Sequence, residues 1–227
     1  MKTIVIIGGS KGIGHAIVEN LIETHKVINI SRTASAKTHP NLTHFECDIL
    51  TDELPDIEFV DGLVYCPGSI NLKPISRLSL DEFREDFEIN VLGAVKAIKK
   101  YLDVLKKGSH PSILLFSTVA SKLGMPYHAS IATAKSGIEG LVKSLGAELA
   151  PTIRINAIAP TVTNTELASK LLRNDKMVEA ITERHPLKKF LNPKEVAEMG
   201  VFLISEKAAS MSGQIFQMDC GITSFKI

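Results

Sequence analysis

Short β-branched runs alternate with longer stretches of helical periodicity along most of the chain. TIVII (3–7) precedes a helical pattern from about Gly12 to Thr24, and KVINI (26–30) follows at once, which is the signature of a βαβ unit. Further apolar runs, DGLVY (61–65), SILLFST (112–118), IRINAIA (153–159) and QIFQM (214–218), are separated by helical stretches near 79–107, 130–149 and 193–205. Parallel neighbours need crossover connections, and right-handed crossovers lay helices on both faces of a sheet. The pattern predicts an α/β/α sandwich around a doubly wound parallel sheet of about seven strands. Asn192-Pro193 with Glu195 marks a helix start, an N-cap followed by Pro in the first turn. The segment from about 161 to 190 comes just after a strand and mixes polar residues with Leu167, Leu171, Leu172 and Met177. It therefore falls at the carboxyl edge of the sheet, where ligands bind. It reads as a substrate lid or as two short surface helices.

Length and charge narrow the picture. At 227 residues the chain fits a single domain that includes this lid. With 44% hydrophobic residues, 22% charged and a net charge of +1, there is no electrostatic case for nucleic acid or an anionic membrane. No apolar run approaches the length of a membrane span. Cys47, Cys66 and Cys220 are widely separated and odd in number, and no cationic, then apolar, leader opens the chain. Free thiols in a reducing cytoplasm are the expectation. No paired carboxylates, Cys/His ligand spacing or G-x-S-x-G elbow supports hydrolysis or a metal site.

The first candidate chemistry is G8-G-S-K-G-I-G14, which follows the first strand directly and opens a helix. A glycine-rich turn in that setting brings backbone N–H groups against a pyrophosphate at the positive end of the helix. Gly8, Ser10, Lys11, Gly12, Ile13 and Gly14 are thereby candidate cofactor residues. The cofactor's identity can be argued from charge. An acidic side chain at the end of the second strand would hold a ribose 2′-hydroxyl and repel a 2′-phosphate, and a cation there would attract the phosphate. Ser31 takes the acidic place, Arg32 follows it, and Lys11 lies in the glycine turn. NADP(H) is expected in preference to NAD(H).

Glycines at 8, 12 and 14 resemble the T-G-x-x-x-G-I-G turn of the short-chain dehydrogenase/reductase family, with Ile7 where that family often has Thr. Other segments fall in the family's order along nearly the whole chain, and the resemblance implies the same Rossmann-like fold. Cys47-Asp48-Ile49 is similar to the stretch that holds the adenine, which assigns Asp48 and the backbone at Ile49 to that role. Val64-Tyr65-Cys66-Pro67-Gly68 occupies the place of N-N-A-G, and only Gly68 survives. Ile89-Asn90-Val91-Leu92-Gly93 resembles I-N-V-x-G, whose Asn kinks its helix and supports a water path to the catalytic lysine. Ala159-Pro160-Thr161-Val162-Thr163-Asn164-Thr165 is similar to A-P-G-x-I-x-T, with Thr161 replacing Gly. By resemblance Pro160, the backbone at Val162 and Thr163 and the hydroxyl of Thr165 meet the nicotinamide or the phosphates. Ser212-Gly213-Gln214 through Gly221 resembles the family's closing segment.

In that family a Ser and a Tyr thirteen residues apart hold the substrate oxygen, and a Lys follows the Tyr by four. Residues at i and i+4 share a helix face, so the ammonium lowers the phenol's pKa and binds the nicotinamide ribose while the phenol passes a proton. Aligned on Lys135, the tyrosine position holds Ile131 and the serine position holds Thr118. Asn90, Thr118 and Lys135 remain as the catalytic set, and Ile131 can carry no proton. Replacement acids within reach in sequence are Tyr127, if the helix begins a turn early, His128, whose side-chain type suits proton transfer at neutral pH, and Thr118 with a bound water.

Two functional readings follow. One is an NADP(H)-dependent oxidoreductase acting on a carbonyl or alcohol, with weak or unconventional acid catalysis and a small substrate of apolar or mixed character. The other is a non-catalytic NADP(H)-binding sensor, regulator or partner subunit. The resemblance also implies a homodimer or homotetramer through the helices near 88–107 and 130–149. Ile138, Leu141 and Leu145 are compatible with that role and equally with packing on the sheet.

Overall fold

A computed structural model describes residues 1–34 and 38–225. Its centre is a seven-stranded sheet in the order β3-β2-β1-β4-β5-β6-β7. The strands are β1 (Thr3–Ile7), β2 (Lys26–Ser31), β3 (Leu42–Glu46), β4 (Gly62–Tyr65), β5 (Ser112–Phe116), β6 (Arg154–Pro160) and β7 (Ile215–Met218), and every pairing is parallel. The helices are α1 (Gly12–Leu21), α2 (Leu80–Phe87), α3 (Gly93–Leu105), α4 (Ala129–Leu149), α5 (Asp175–Arg184) and α6 (Pro193–Ile204).

Alternation along β1 sends Ile4 and Ile6 to one face and Val5 and Ile7 to the other. Ile4 and Ile6 pack with Ile17 and Leu21 of α1 and Val196 and Leu203 of α6. Val5 and Ile7 join Ala97 and Tyr101 of α3 and Ile138 and Val142 of α4. Each fully buried aliphatic side chain contributes roughly 1.5–3 kcal/mol, so both helical layers are held by the sheet's continuous apolar runs. The chain order reverses between β1 and β4, which opens a crevice at the carboxyl ends of those strands.

The structure departs from the sequence pattern in particular places. β3 was absent from the expected strands because LTHFE is an edge strand with its residues exposed or half-buried, so it lacks an apolar run. The first helix stops at Leu21 rather than Thr24, and the Leu21 carbonyl accepts from Thr24 N and His25 N. Ser117 and Thr118 lie beyond the end of β5, with Thr118 capping a 3₁₀ turn at Val119–Ser121. The stretch near 79–107 is not one helix. A π turn at Glu88–Leu92 separates α2 from α3, and Tyr65 Oη donates to the Ile89 carbonyl there at 2.6 Å. A Cβ on Gly93 would stand 2.1 Å from that Tyr65 oxygen, so the phenol and the glycine specify the bulge together.

The segment after β6 contains a 3₁₀ turn, Glu166–Ala168, and α5, which has no buried residue. It is therefore two short surface elements tied down at both ends. Thr163 bridges Leu191 in parallel, and buried Thr161 bonds the buried His185 Nε2 at 2.6 Å. The Asn192–Glu195 capping box forms as expected at the start of α6. Ile138 belongs to the core, with Leu141 and Leu145 packed against it, so these residues face the sheet. No helix among the described residues is long and apolar enough to cross a membrane, and all three cysteines are free.

Candidate functional site

The crevice holds a groove of about 570 Å³. Gly8 (φ +78°) and Gly12 (φ +55°) carry the turn out of β1 in a left-handed backbone that side chains resist. Gly14 serves contact instead of conformation: a Cβ there would lie 2.2 Å from the Gly8 carbonyl oxygen. The N-cap of α1, Lys11, makes no side-chain capping bond, and no acidic residue stands in the first turn. The first N–H groups of α1 are thus left for an anion. Pro67, where the resemblance has an Ala, packs its ring 3.1 to 3.2 Å from the point a Gly8 Cβ would occupy and lines the groove.

The cofactor residues named from the sequence divide between two connected cavities. Gly8, Ser10, Lys11, Gly12, Ile13 and Gly14 line the large groove on one side. Ser31, Arg32, Asp48, Ile49, Gly68 and Thr165 line it elsewhere. Lys135, Pro160, Val162 and Thr163 line a smaller pocket of about 180 Å³, which shares Ile13, Gly68 and Thr165 with the groove. Asn90 lines neither cavity. It is 1% exposed and sits behind Gly68, where a Cβ would be 3.1 Å from Asn90 Oδ1 and 3.6 Å from Lys135 Nζ.

Charge at the groove's adenosine end is mixed. Lys11 Nζ reaches Glu166 Oε2 at 2.7 Å, and Arg32 Nη1 stands 4.0 Å from Asp48 Oδ2. Both pairs are open to solvent on at least one side, so each costs little to exchange for another anion. Asp48 also accepts from Leu50 N at 2.9 Å, the turn-starting bond of an Asx motif. Ser31 Oγ donates to the Thr33 carbonyl, and Thr33 Oγ1 donates to Ser10 Oγ.

At the reaction end, Ile131 is 5% exposed and forms an apolar wall of the small pocket with Phe116, Val119, Met125 and Leu171. Thr118 lines the same pocket and accepts from Ala120 N at 3.3 Å. Lys135 Nζ donates to the Phe116 carbonyl at 2.8 Å. Desolvation pulls the pKa of this ammonium down to about 8, against raising influences from Cys66 and Asp86. The Cys66 thiol is itself pushed up to about 12 by burial. His128 is the N-cap of α4 and lines the pocket. Its Nδ1 donates to the Pro126 carbonyl at 2.7 Å, which leaves Nε2 as the nitrogen facing a ligand.

Tyr127 does not meet the condition that made it a replacement acid, a helix beginning one turn early. Helix α4 begins at Ala129, so Tyr127 does not share its face with Ile131; it has φ +69°, is 59% exposed and lines no described cavity. The segment between β6 and α6 contributes Leu167, Ala168 and Leu171 to the pocket, whereas Met177 and Leu172 stay outside it. Thr161, in place of Gly, spends its hydroxyl on His185.

Several site residues had no sequence motif to announce them. Ser117 Oγ donates to Glu139 Oε1 at 2.7 Å, and Ser121 Oγ reaches the same oxygen, which anchors the Thr118 segment to α4. Ser69 lines the pocket and donates to Asp86, a carboxylate with no exposure. The one available signal was spacing: Asp86 precedes Asn90 by four on a helical pattern, which puts both on one side.

The residues present suit a dinucleotide: a groove of about 570 Å³, glycines where any Cβ would intrude, and unclaimed N–H groups at the glycine turn. Comparison with known proteins agrees. A family profile described as enoyl-(acyl carrier protein) reductase matches residues 8–223. The chain is 28% identical to a 2,5-dichloro-2,5-cyclohexadiene-1,4-diol dehydrogenase of Sphingobium indicum, over 98% of this chain and 97% of the relative. It is 30% identical to a tropinone reductase homolog of Arabidopsis thaliana, over 97% and 79%. Among solved structures, the ligand-free aldohexose dehydrogenase of Thermoplasma acidophilum superposes with a TM-score of 0.90 at 26% identity, covering 99% of this chain and 95% of that one.

Proposed function

The chain belongs to the short-chain dehydrogenase/reductase family, and from that premise we propose that it is an NADP(H)-dependent oxidoreductase interconverting a carbonyl and an alcohol. The observation that carries this reading is the continuity of the two cavities through Ile13, Gly68 and Thr165. A dinucleotide along the groove brings its reactive end to the pocket holding Thr118, Ile131 and Lys135. When bound, the nicotinamide supplies or accepts a hydride. The chain's own residues do the rest. The turn from Gly8 to Gly14 binds phosphate, Lys11 and Arg32 favour a 2′-phosphate over a bare hydroxyl, and Lys135 holds ribose hydroxyls. Thr118 presents a hydroxyl to the substrate oxygen, and Phe116, Val119, Ile131 and Leu171 exclude water. That lining suits a small, largely apolar substrate.

A second reading rests on Ile131. A hydrocarbon where the family's resemblance places a phenol separates binding from turnover, so the same cavity also suits a non-catalytic NADP(H)-binding sensor or partner subunit. Fluorescence titration with NADPH and NADH tests the shared premise: NADPH is expected to bind the more tightly, and binding of neither removes both readings. A screen of aldehydes and ketones before and after Ile131→Tyr separates them. Turnover by the unaltered protein supports the enzyme, and turnover only after the substitution supports the sensor.

Assembly through copies of this chain is part of the same proposal. Leu80, Phe87 and Leu92 are exposed beside α4, and a cleft of about 340 Å³ lies between α2 and α4. Sedimentation of the pure protein is expected to give a dimer or tetramer. A reducing cytoplasmic location accords with the three free thiols.

A further inference from the structure

Ser69 joins the small pocket to a buried polar cluster of which the resemblance explains only Asn90. Asp86 is 0% exposed. Its Oδ1 accepts from Ser69 Oγ and, at 3.0 Å, from Asn71 Nδ2, and its Oδ2 has no partner among the described residues. Asn90 Nδ2 donates to Ser69 Oγ at 3.0 Å and to the Asp86 carbonyl at 2.8 Å, while Asn90 Oδ1 also has no partner among the described residues. A buried carboxylate left with an idle oxygen is expensive. Packing alone gives no reason to keep one beside a ligand cavity.

We propose that Ser69 and Asp86 form the pocket's proton-transfer pair, taking over the task for which Ile131 is unsuited; this rests on the oxidoreductase reading above. A hydroxyl has one proton to give and two lone pairs. In Ser69 the proton points to Asp86 and one lone pair takes the Asn90 amide. The second lone pair remains for a substrate hydroxyl in the pocket that Ser69 lines. In alcohol oxidation the substrate's O–H proton passes to Ser69 Oγ as the Ser69 proton passes to the Asp86 carboxylate. The carbinol C–H bond breaks with its electron pair going to the oxidised nicotinamide, and a C=O bond forms. Reduction is the reverse, with neutral Asp86 returning the proton through Ser69. Ser69 is the catalytic residue, and Asp86, acting through it, is the positioning residue and proton store. Asn90 fixes the Ser69 rotamer from the π turn.

The test uses NADPH and the best ketone from the screen. Ser69→Ala and Asp86→Asn are expected to lower kcat by about 10²-fold or more, with KM for NADPH moving less than about threefold, because neither residue is needed to hold the dinucleotide. Ser69→Thr, which keeps the hydroxyl, should recover much of the rate, and it decides the matter if Asp86→Asn does not fold. In the Ile131→Tyr background a phenol supplies the proton, so the loss from Ser69→Ala should contract by about tenfold or more. A merely structural cluster would give the same loss in both backgrounds, and that result overturns the proposal. A readout without turnover is the infrared band of the Asp86 carboxyl, identified by its disappearance in Asp86→Asn. Its position is expected to change in Ser69→Ala with NADPH bound, and an unchanged band also overturns the pairing. Failure of NADPH to bind removes the oxidoreductase reading itself, whereas bound NADPH, ketone turnover and indifference to Ser69→Ala remove only this inference.

Discussion

The two ends of the crevice are made of different material. At the phosphate end the contacts belong to the backbone: left-handed Gly8 and Gly12, close-packed Gly14 and the unclaimed N–H groups of α1. At the reaction end they belong to side chains on separate elements, with Thr118 after β5, Lys135 on α4 and Ser69 after β4. Backbone contacts change only when the fold changes. Side-chain contacts change with one codon, so a chain can keep its nucleotide groove and alter its chemistry; on the proposed reading, Ile131 beside an intact glycine turn is such a change.

The contrast breaks most visibly at Ile131. Combined with Ser69→Ala, Ile131→Tyr is expected to raise kcat for a ketone about tenfold or more over Ser69→Ala alone, with the NADPH dissociation constant changing less than about threefold; a matching change in affinity would mean that the two ends are not separable. Gly14→Ala attacks the other end. A methyl group 2.2 Å from the Gly8 carbonyl forces the strand and helix apart, and a loss of about 3 kcal/mol in urea unfolding is expected together with loss of NADPH binding.

Lys135 sharpens the comparison through pH. Its folded pKa of about 8 lies below the ordinary lysine value of 10.5, so between those values the unfolded chain binds the more protons and stability rises with pH. Below about 8 the full penalty stands. Relative to Lys135→Met, the wild-type protein should gain about 3 kcal/mol between pH 7 and 10.5 in denaturant titrations.

Smaller effects belong to the exposed charges. Arg32→Ala is expected to weaken NADPH about tenfold and leave NADH nearly unchanged, as read by fluorescence titration. Glu166→Gln, which frees Lys11 from a solvent-exposed pair, should alter unfolding stability by less than about 1 kcal/mol.

Backbone and side-chain sites also differ in how readily a sequence displays them. The glycine turn was legible because it needs specific residues at contiguous positions, directly after an apolar strand. The apolar runs of six strands were equally plain, since five of them carry buried residues on both faces. β3 escaped because an edge strand with half-exposed residues has no such run. The π turn escaped because it depends on Tyr65, which lies 24 residues from the Ile89 carbonyl it binds. Tyr127 misled for a related reason: i, i+4 spacing has meaning only inside a helix, and α4 starts two residues later. Ser69 and Asp86 lie 17 residues apart on different elements, and only the folded chain puts them together.

The π turn at Glu88–Leu92 carries a consequence for the chain's tolerance of length changes. It holds about one residue more than the α-helical turns flanking it, so it is in effect an insertion retained inside a helix. Deleting a single residue there would let α2 and α3 merge into one regular helix with both flanks close to their present phase, because the wide turn already absorbs the extra residue. The loss would fall on the turn itself: Asn90 would shift from Ser69, and Tyr65 would lose the Ile89 carbonyl. A shortened chain of that kind should be a better helix and a worse pocket.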